Sequence, residues 1–297
     1  MIRILIIRHG RTAWNVSQEQ GGRFRGKIDL PLAEEGISQA RTTAQRLARL
    51  PLSGIYSSPL QRAVRTAEMI AEPHSLPVQT LAGLGSMDYG DWAGKLHSEV
   101  AQLWPDLYQD WRRDPFSIQI PGGERTSDLR HRVLGALGSI LTQHSDGDTI
   151  ALVSHQVVTK TLVCSLMGMP DPYHWHIWQD LCNLTSLAYE PAKEEVHLTG
   201  LNDTCHLNSA LPGIKNASTR LVLIRHGQTA WNAGAGEERF RGRFDLPLDA
   251  TGLAQARAVA DRLAQERIAA FYASPLLRTR QTAAPLAEVQ GLTVQPH

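Results

Sequence analysis

The sequence has few cysteines, almost no net charge and no long apolar run, and each of these shortages excludes a class of protein. The three cysteines, Cys164, Cys182 and Cys205, lie far apart and form no C-x-x-C pair. That spacing argues against a disulfide scaffold and against a zinc site. The 30 basic and 29 acidic residues leave a formal charge of +1, which gives no general attraction to nucleic acid or to an anionic membrane. Any anion site must therefore be built locally.

The start of the chain and its overall composition are typical of a globular protein of the cytoplasm. No apolar run approaches the length of a membrane span, and the first apolar residues are interrupted by Arg3 and Arg8 too soon for a signal peptide. Hydrophobic residues make up 42% of the chain and charged residues 20%, so a packed core is expected. We therefore predict a cytoplasmic protein with neither membrane nor nucleic-acid partners. Its oligomeric state is open at this point.

Three sequence blocks occur twice, in the same order and at nearly constant spacing. They are RHGRTAWN at 8–15 and RHGQTAWN at 225–232, RFRGKIDLPL at 23–32 and RFRGRFDLPL at 239–248, and SPLQR at 58–62 and SPLLR at 274–278. A period this long is typical of a duplicated domain and not of a solenoid. The sequence therefore predicts two related domains.

The two copies differ in length. The first is predicted to form a domain over residues 1–207 and the second an incomplete domain over residues 219–297, joined by a linker of small and turn-forming residues over 208–218. The apolar run Leu221–Ile224 is expected to open the second copy as a strand. Because the second copy has no counterpart of His155, we do not expect it to complete a site by itself. The sequence leaves open whether that copy is truncated or degenerate.

The hydrophobic pattern of the first copy alternates between buried strands and amphipathic helices. Ile2–Ile7 and Ile150–Val153 are almost wholly apolar, as strands covered on both faces are. Helical spacing of apolar residues follows Leu32 and recurs at Arg62–Ile70 and Leu129–Leu141. The pattern predicts an α/β protein with a three-layer α/β/α architecture and a mostly parallel central sheet.

Two histidines and two arginines are predicted to meet at one edge of this sheet. Ligands of such sheets collect beyond the carboxyl ends of the strands, and both Arg8-His9 and Ser154-His155 follow the apolar runs directly. Arg62 lies in the first turn of a predicted helix, where phosphate is attracted. Arginine binds phosphate with paired donors, and a neutral imidazole is a competent nucleophile near pH 7. These residues predict phosphoryl transfer without a metal or any other cofactor.

These residues resemble the histidine phosphatase superfamily, which includes the cofactor-dependent phosphoglycerate mutases. The resemblance rests on three motifs: R-H-G at 8–10, S-x-L-x-R-A-x-x-T-A at 58–67 and P-G-G-E at 121–124. It implies a phosphoglycerate mutase-like fold in which His9 becomes phosphohistidine. It also implies that three further side chains surround the phosphoryl group, namely Arg8, Arg62 and His155.

The same resemblance implies further binding residues in both copies. Asn15 and Arg23 match the loop on the phosphate side of the family's site, and Glu124 belongs to the P-G-G-E element of its phosphatase members. The second copy has matching residues at Arg225, His226 and Arg278.

One position departs from the family pattern. The segment LGSMDYGDWAG at 84–94 matches L-x-E-x-x-x-G-x-W-E-G, but Ser86 stands where the general-acid glutamate is expected. A positioned acid typically contributes about 10²–10⁴-fold to the rate. We hypothesise that Asp88 or Asp91 supplies the proton. The alternatives are a substrate with a good leaving group and a weak or inactive enzyme.

Phosphomonoester hydrolysis is the function that the sequence favours. The connection from Gly94 to Pro121 leaves little room for the long insertion of the mutases, and the segment at 87–92 is similar to that of α-ribazole phosphatases. We therefore expect a phosphoric monoester hydrolase of the histidine acid phosphatase type that acts on a small phosphorylated metabolite. The alternatives are a cofactor-dependent phosphoglycerate mutase and a catalytically weakened module that binds phosphorylated ligands.

Aromatic and basic residues between these motifs are expected to overhang the pocket and select the substrate. They are Trp104, Tyr108, Trp111, Arg112, Arg113 and Phe116. His174 and His176 lack nearby acidic or cysteine ligands at metal-site spacing and are interpreted as ordinary residues. Trp175 and Trp178 are interpreted as core residues.

Overall fold

The computed structural model describes residues 1–15, 22–207, 219–233 and 242–297. Its contacts divide the chain into two units, Met1–Leu207 and Asn208–His297. Within the described ranges, no helix has both the length and the apolar character needed to cross a membrane. The predicted linker at 208–218 lies outside the described residues, and so does most of the second R-F-R-G motif.

The described residues of the first unit form six strands and six α-helices, which alternate along most of its length. The strands are β1 (Ile2–Arg8), β2 (Gly54–Ser57), β3 (Val78–Thr80), β4 (Thr149–Ser154), β5 (Leu184–Glu190) and β6 (Glu195–Asp203). The helices are α1 (Glu34–Leu47), α2 (Gln61–Ala71), α3 (His97–Leu103), α4 (Pro105–Arg113), α5 (Thr126–Leu141) and α6 (Gln156–Leu166). Short 3₁₀ turns lie at Glu72–His74, Ala82–Leu84, Gly90–Trp92 and Asp171–His176.

The six strands form one sheet in the order β3-β2-β4-β1-β5-β6. The first four are parallel to one another, whereas β5 and β6 run antiparallel to their neighbours. β1 and β4 lie side by side at the centre, with Arg8 opposite Ser154. Every residue of β4 and all but one of β1 are buried, as expected for strands covered on both faces. The predicted α/β fold with a mostly parallel sheet is confirmed.

Helices cover both faces of the sheet. Successive side chains of β1 point to opposite faces, so each set packs against a different pair of helices. Ile4 and Ile6 belong to a core cluster that includes buried residues of α5 and α6. Leu5 and Ile7 belong to a second cluster with buried residues of α1 and α2. The sheet is therefore the middle of three layers, and its central strands end between the two helical layers.

The described part of the second unit is smaller. It has two helices, α7 (Ala250–Leu263) and α8 (Leu277–Gln290), and two parallel strands, β7 (Phe271–Ala273) and β8 (Val294–Pro296). Asp249 caps α7, since its Oδ1 accepts a hydrogen bond from the Gly252 amide at 2.8 Å. The small core contains Ala260, Leu263, Phe271, Leu286 and Ala287.

The expected strand at Leu221–Ile224 does not form. Leu221 is 82% exposed and Leu223 is 94% exposed, although the sequence there is as apolar as that of β1. In the first unit, β1 takes its hydrogen bonds from β4 and β5. The described residues of the second unit contain no counterpart of either strand, so the segment has no partner to pair with. The strand prediction was wrong because it depended on distant residues and not on the segment itself.

A close contact between two backbone segments gives a testable prediction for the first unit. A Cβ atom on Gly36, at the start of α1, would lie 2.1 Å from the carbonyl oxygen of Arg11. We therefore expect Gly36→Ala to lower the free energy of unfolding by about 1–3 kcal/mol, the usual cost of overpacking. Urea unfolding monitored by circular dichroism measures this.

Gly135→Ala is the matched control, because Gly135 lies in α5 and a Cβ there would meet nothing within 4 Å. Alanine is a better helix former than glycine, so this variant should be more stable by about 0.5–1 kcal/mol. Equal stability of the two variants would contradict the close-contact argument.

Candidate active site

The site lies where the central strands end. His9 directly follows β1, His155 lies between β4 and α6, and Arg62 is in the first turn of α2. The backbone amide of His9 donates to the carbonyl oxygen of Ser154 at 3.0 Å, which continues the strand pairing by one residue. The rings of His9 and His155 are 5.2 Å apart between centroids. Together with Arg8, these side chains are buried at one edge of the sheet.

The tautomer of His9 is set by the main chain. Its Nδ1 lies 2.7 Å from the carbonyl oxygen of Gly10. A carbonyl oxygen can only accept, so Nδ1 must carry the proton and Nε2 must hold the free electron pair. The Gly10 amide is held in turn by Thr66 Oγ1 at 3.2 Å. The loop therefore fixes the ring and leaves its nucleophilic nitrogen without a hydrogen bond from the described residues.

In His155 the protein holds the other ring nitrogen, Nε2. Its Nε2 lies 2.7 Å from Ser58 Oγ, and that hydroxyl also accepts from the Leu60 amide at 3.3 Å. The hydroxyl can donate to His155 Nε2 while it accepts from Leu60, and in this arrangement the ring proton lies on Nδ1. Nδ1 is buried and has no partner among the described residues. It is a donor that a bound anion can use.

The two arginines are anchored by carbonyl oxygens and not by carboxylates. Arg62 donates to the carbonyl oxygens of Ile28 at 2.8 Å and Gly26 at 2.9 Å. Arg8 donates to that of Gln179 at 2.6 Å. In each case Nε is buried without a partner among the described residues. Neither guanidinium group forms an ion pair with a described carboxylate, and each keeps a donor for a phosphoryl oxygen.

Burial and neighbouring cations shift the titration of all four groups. Burial lowers the pKa of Arg8 to about 9 and, with Arg25, that of Arg62 to about 10. The pKa of His9 lies well below its usual value, first because of burial and then because of His155, Arg8 and Arg62. The pKa of His155 is lowered by burial and by the same two arginines. Both imidazoles are therefore neutral at pH 7 before substrate arrives.

These groups line a cavity of about 160 Å³. Its wall carries four arginines and one lysine, namely Arg8, Arg23, Arg25, Arg62 and Lys160. It also carries four histidines, namely His9, His97, His155 and His174. Among the described residues of this wall there is no aspartate or glutamate. The cavity is therefore built for an anion, and its described wall offers no carboxylic acid.

Asn15 lies outside this wall. Its Oδ1 accepts from the amide and from the hydroxyl of Thr12, both at 2.8 Å. Arg23, by contrast, is in the wall, held by the carbonyl oxygen of Gly94 at 2.7 Å and stacked over Trp14. In the structure Asn15 closes the turn after His9, and its contact with phosphate stays a prediction.

Asp88 is also outside the wall, and its placement argues against the role of general acid. One carboxylate oxygen lies 2.9 Å from Lys27 Nζ, and the other accepts from the Gly90 amide at 3.0 Å. The Gly90 hydrogen bond and the Lys27 ammonium hold the pKa of Asp88 below its usual value. Asp91 is exposed and is not in the wall either. Ser86 itself is buried and faces the cavity.

Glu124 supports the loop that carries Ser86 and does not line the cavity. Its Oε1 accepts from the Asp88 amide at 2.8 Å and pairs with Arg132 at 2.7 Å. Arg132 in turn donates to the carbonyl oxygen of Ser86 at 3.0 Å. Glu124 thus forms an ion pair with Arg132 just before α5, and its contact with phosphate stays a prediction.

Several wall residues were not predicted from the sequence. They are His97, Gln156, Lys160, His174 and Trp175. Lys160 carried a visible signal, since it is the one charged residue in α6. Of the stretch expected to select substrates, Trp111 reaches the wall, whereas Trp104 and Tyr108 pack against the core around Trp92.

The second unit repeats the local contacts of the first without the rest of the site. His226 Nδ1 lies 2.8 Å from the Gly227 carbonyl oxygen, and the Gly227 amide donates to Thr282 at 3.0 Å. Arg278 is held by two carbonyl oxygens, as Arg62 is. Arg225, however, is exposed, and the described part of this unit has no counterpart of His155.

Comparison with known proteins agrees with this geometry. The family model of the histidine phosphatase superfamily (branch 1) matches residues 4–204 and 221–297. Phosphoserine phosphatase 1 of Hydrogenobacter thermophilus is 33% identical over 207 residues, which is 70% of this chain and 95% of that protein. The 2-carboxy-D-arabinitol-1-phosphatase of Triticum aestivum is 28% identical over 295 residues, which is 97% of this chain and 58% of that protein.

Solved structures agree as well. YhfR of Bacillus stearothermophilus is similar with a TM-score of 0.65 and 30% identity, over 70% of this chain and all of that one. The resemblance predicted from the motifs is confirmed, and so is the expectation of a phosphatase.

The buried histidines predict how stability depends on pH. Their pKa values are lowered in the folded state, whereas the unfolded chain has the ordinary value of about 6.5. The unfolded state therefore binds more protons in acid, so stability is full above about pH 6.5 and falls as the pH falls toward the folded-state values. We expect His155→Gln to reduce this loss, measured as the difference in melting temperature between about pH 7.5 and pH 5.

His131→Gln is the control, at an exposed position of α5. It should keep the wild-type difference in melting temperature. A wild-type pH dependence that His155→Gln leaves unaltered would contradict the assignment of a neutral buried imidazole at this position.

Proposed function

Because this chain belongs to the histidine phosphatase superfamily, we propose that its first unit hydrolyses phosphomonoesters through a phosphohistidine formed on His9. The enzyme would then be a phosphoric monoester hydrolase of the histidine acid phosphatase type. The observation that carries the proposal is the neutral, buried imidazole of His9, whose Nδ1 is committed to the Gly10 carbonyl oxygen. Its Nε2 is left as the nucleophile in a cavity lined by cations.

In the first step, His9 Nε2 attacks the phosphorus atom in line with the leaving oxygen. The N–P bond forms as the P–O bond to the leaving group breaks. The free Nε donors of Arg8 and Arg62 and the Nδ1 proton of His155 can bind the equatorial oxygens. Because these donors are already fixed by the main chain and by Ser58, they stabilise the transition state without reorganising.

In the second step, a water molecule attacks the phosphohistidine. The N–P bond breaks, inorganic phosphate leaves, and His9 returns to its neutral form. The water gives up one proton, which balances the proton that the departing alcohol takes up. The same arginines and His155 hold the phosphoryl group in both steps, so one set of donors serves both transition states.

The cavity provides no evident proton donor for the departing alcohol among its described residues. The described wall has no carboxylic acid, and Asp88 is an ion-paired carboxylate outside it. Leaving groups that need little protonation, such as phenolates, should therefore be favoured. The presence of Ser86 in place of the expected glutamate also favours a second candidate function, a weakened module that binds phosphorylated ligands without turnover.

The physiological substrate is proposed to be a small phosphorylated metabolite. The cavity of about 160 Å³ suits a small ester, and the two relatives named above are phosphatases of phosphoserine and of 2-carboxy-D-arabinitol 1-phosphate. A domain over residues 1–207 would carry this activity, with an incomplete copy over 219–297. We propose a cytoplasmic location, supported by three cysteines that all occur as free thiols.

Turnover of p-nitrophenyl phosphate tests the proposal. We expect His9→Ala to reduce kcat by roughly 10³-fold or more, as loss of a covalent nucleophile does. Incubation with a labelled ester, acid-free trapping and peptide mapping should place the label on His9. Binding of phosphate by a wild type that shows no turnover would instead support the weakened module.

His226→Ala is the matched control in the second copy. It removes the equivalent imidazole from a unit whose described part has no counterpart of His155, so turnover should stay at the wild-type level. A label on His226, or on any side chain other than His9, would contradict the proposal.

Ser86→Glu tests the account of the leaving group. A carboxyl group at this buried wall position should raise the turnover of alkyl phosphates relative to aryl phosphates by about tenfold, short of the 10²–10⁴-fold of a fully positioned acid. The alkyl-to-aryl ratio of kcat/KM is the measurement. Ser86→Gln provides the same size without the proton and should not change the ratio.

Asp88→Asn completes this comparison. Because Asp88 is ion-paired outside the wall, the variant should keep the wild-type ratio. A selective loss of alkyl phosphate turnover would show that Asp88 is the general acid after all.

A further inference from the structure

We propose that Lys160 and His174 form a second anion subsite, which binds a carboxylate carried by the same phosphomonoester that His9 attacks. This inference rests on the proposed function of the site and adds the substrate class to it. It assigns Lys160 as a specificity-determining residue.

Lys160 is buried without the partner that a structural lysine would have. It lies in α6, is only 5% exposed and faces the cavity. Throughout the described residues its ammonium has no hydrogen bond and no ion pair, and it lies 5.4 Å from the centroid of the Trp175 ring. Charged groups are rarely buried unless they are paired. A ligand anion is the partner that this position lacks.

His174 supplies a second donor next to this ammonium. It is buried in the same wall, between the rings of Phe116 and Trp175. Its Nδ1 has no partner among the described residues. Burial and the nearby Lys160 lower the pKa of His174 to about 3, so the ring is neutral and donates through one N–H.

The two groups of the subsite share a neighbour, Trp175. Lys160 Nζ lies 5.4 Å from the centroid of the Trp175 ring, and the ring centroids of His174 and Trp175 are 5.5 Å apart. The rings of His9 and His155 instead lie against each other. Lys160 is therefore available for another part of the substrate while the arginines hold the phosphoryl oxygens. All of these residues line one cavity, so a single small molecule can contact both groups.

The charge of the subsite selects a carboxylate. One ammonium and one neutral N–H match a group with one negative charge and two oxygens. A second phosphate carries about two negative charges. One of these would stay uncompensated against the aromatic wall formed by Trp111 and Trp175, where burial of a charge is costly.

A matched pair of aryl esters tests the inference. A carboxyphenyl phosphate and the carbamoylphenyl phosphate of the same ring position have nearly equal size and differ in charge. We expect the wild type to prefer the carboxylate ester by about 10- to 100-fold in kcat/KM, the range of a charge-assisted hydrogen bond. The preference should appear mainly in KM, because the group is bound and does not react.

Lys160→Met should abolish this preference, so that the ratio of the two esters falls to about one. The variant should also fold at least as well as the wild type, since it removes an unpartnered buried charge, and its melting temperature is measured alongside. Lys193→Met removes an exposed lysine of the same unit and should keep the wild-type ratio.

Three outcomes would overturn the subsite. They are equal kcat/KM values of the wild type for both esters, a ratio that Lys160→Met does not change, and a preference for a ring phosphate over the carboxylate. If neither ester is hydrolysed, the proposed function fails, and calorimetric binding of both esters to His9→Ala decides the subsite separately. Tighter binding of the carboxylate ester, lost on adding Lys160→Met, would uphold it, whereas equal binding would overturn it.

Discussion

The pairing of β1 with β4 is the constraint on which both the fold and the site depend. These two strands form the buried centre of the sheet, and their register places Arg8 opposite Ser154. The amide of His9 then bonds to the carbonyl oxygen of Ser154, so the two histidines leave the sheet side by side. The second unit shows the consequence of losing this pair. Its local loop contacts persist, but Arg225 is exposed.

The chemistry of the site follows from how its cations are held. Arg8 and Arg62 are fixed by carbonyl oxygens, which orient a guanidinium group without neutralising it. A carboxylate in the same place would orient it equally well but would compete with the substrate. Burial of several such cations is unfavourable for the empty protein, as the lowered pKa values of Arg8, Arg62 and Lys160 indicate. A bound phosphomonoester offsets that cost. The buried cations therefore lower the stability of the empty protein and raise its affinity for the phosphomonoester.

Local sequence patterns were sufficient to predict the α/β fold and to bring His9, His155, Arg8 and Arg62 to one edge of the sheet. Apolar runs mark buried strands, and catalytic residues follow directly after them. Contacts between distant residues could not be predicted in this way. Asp88 is drawn toward Lys27 and Glu124 toward Arg132, neither of which is visible in the motif. Leu221–Ile224 has the composition of a strand but lacks a neighbour, because strand formation requires a partner as well as a pattern.

The exposed segment Leu221–Ile224 affects how the protein behaves in solution. Free main-chain groups beside exposed aliphatic side chains are a template for strand addition by other molecules. Self-association through these four residues would increase with protein concentration and would not require residues 1–207 to unfold. Such association would lower the solubility of the purified protein.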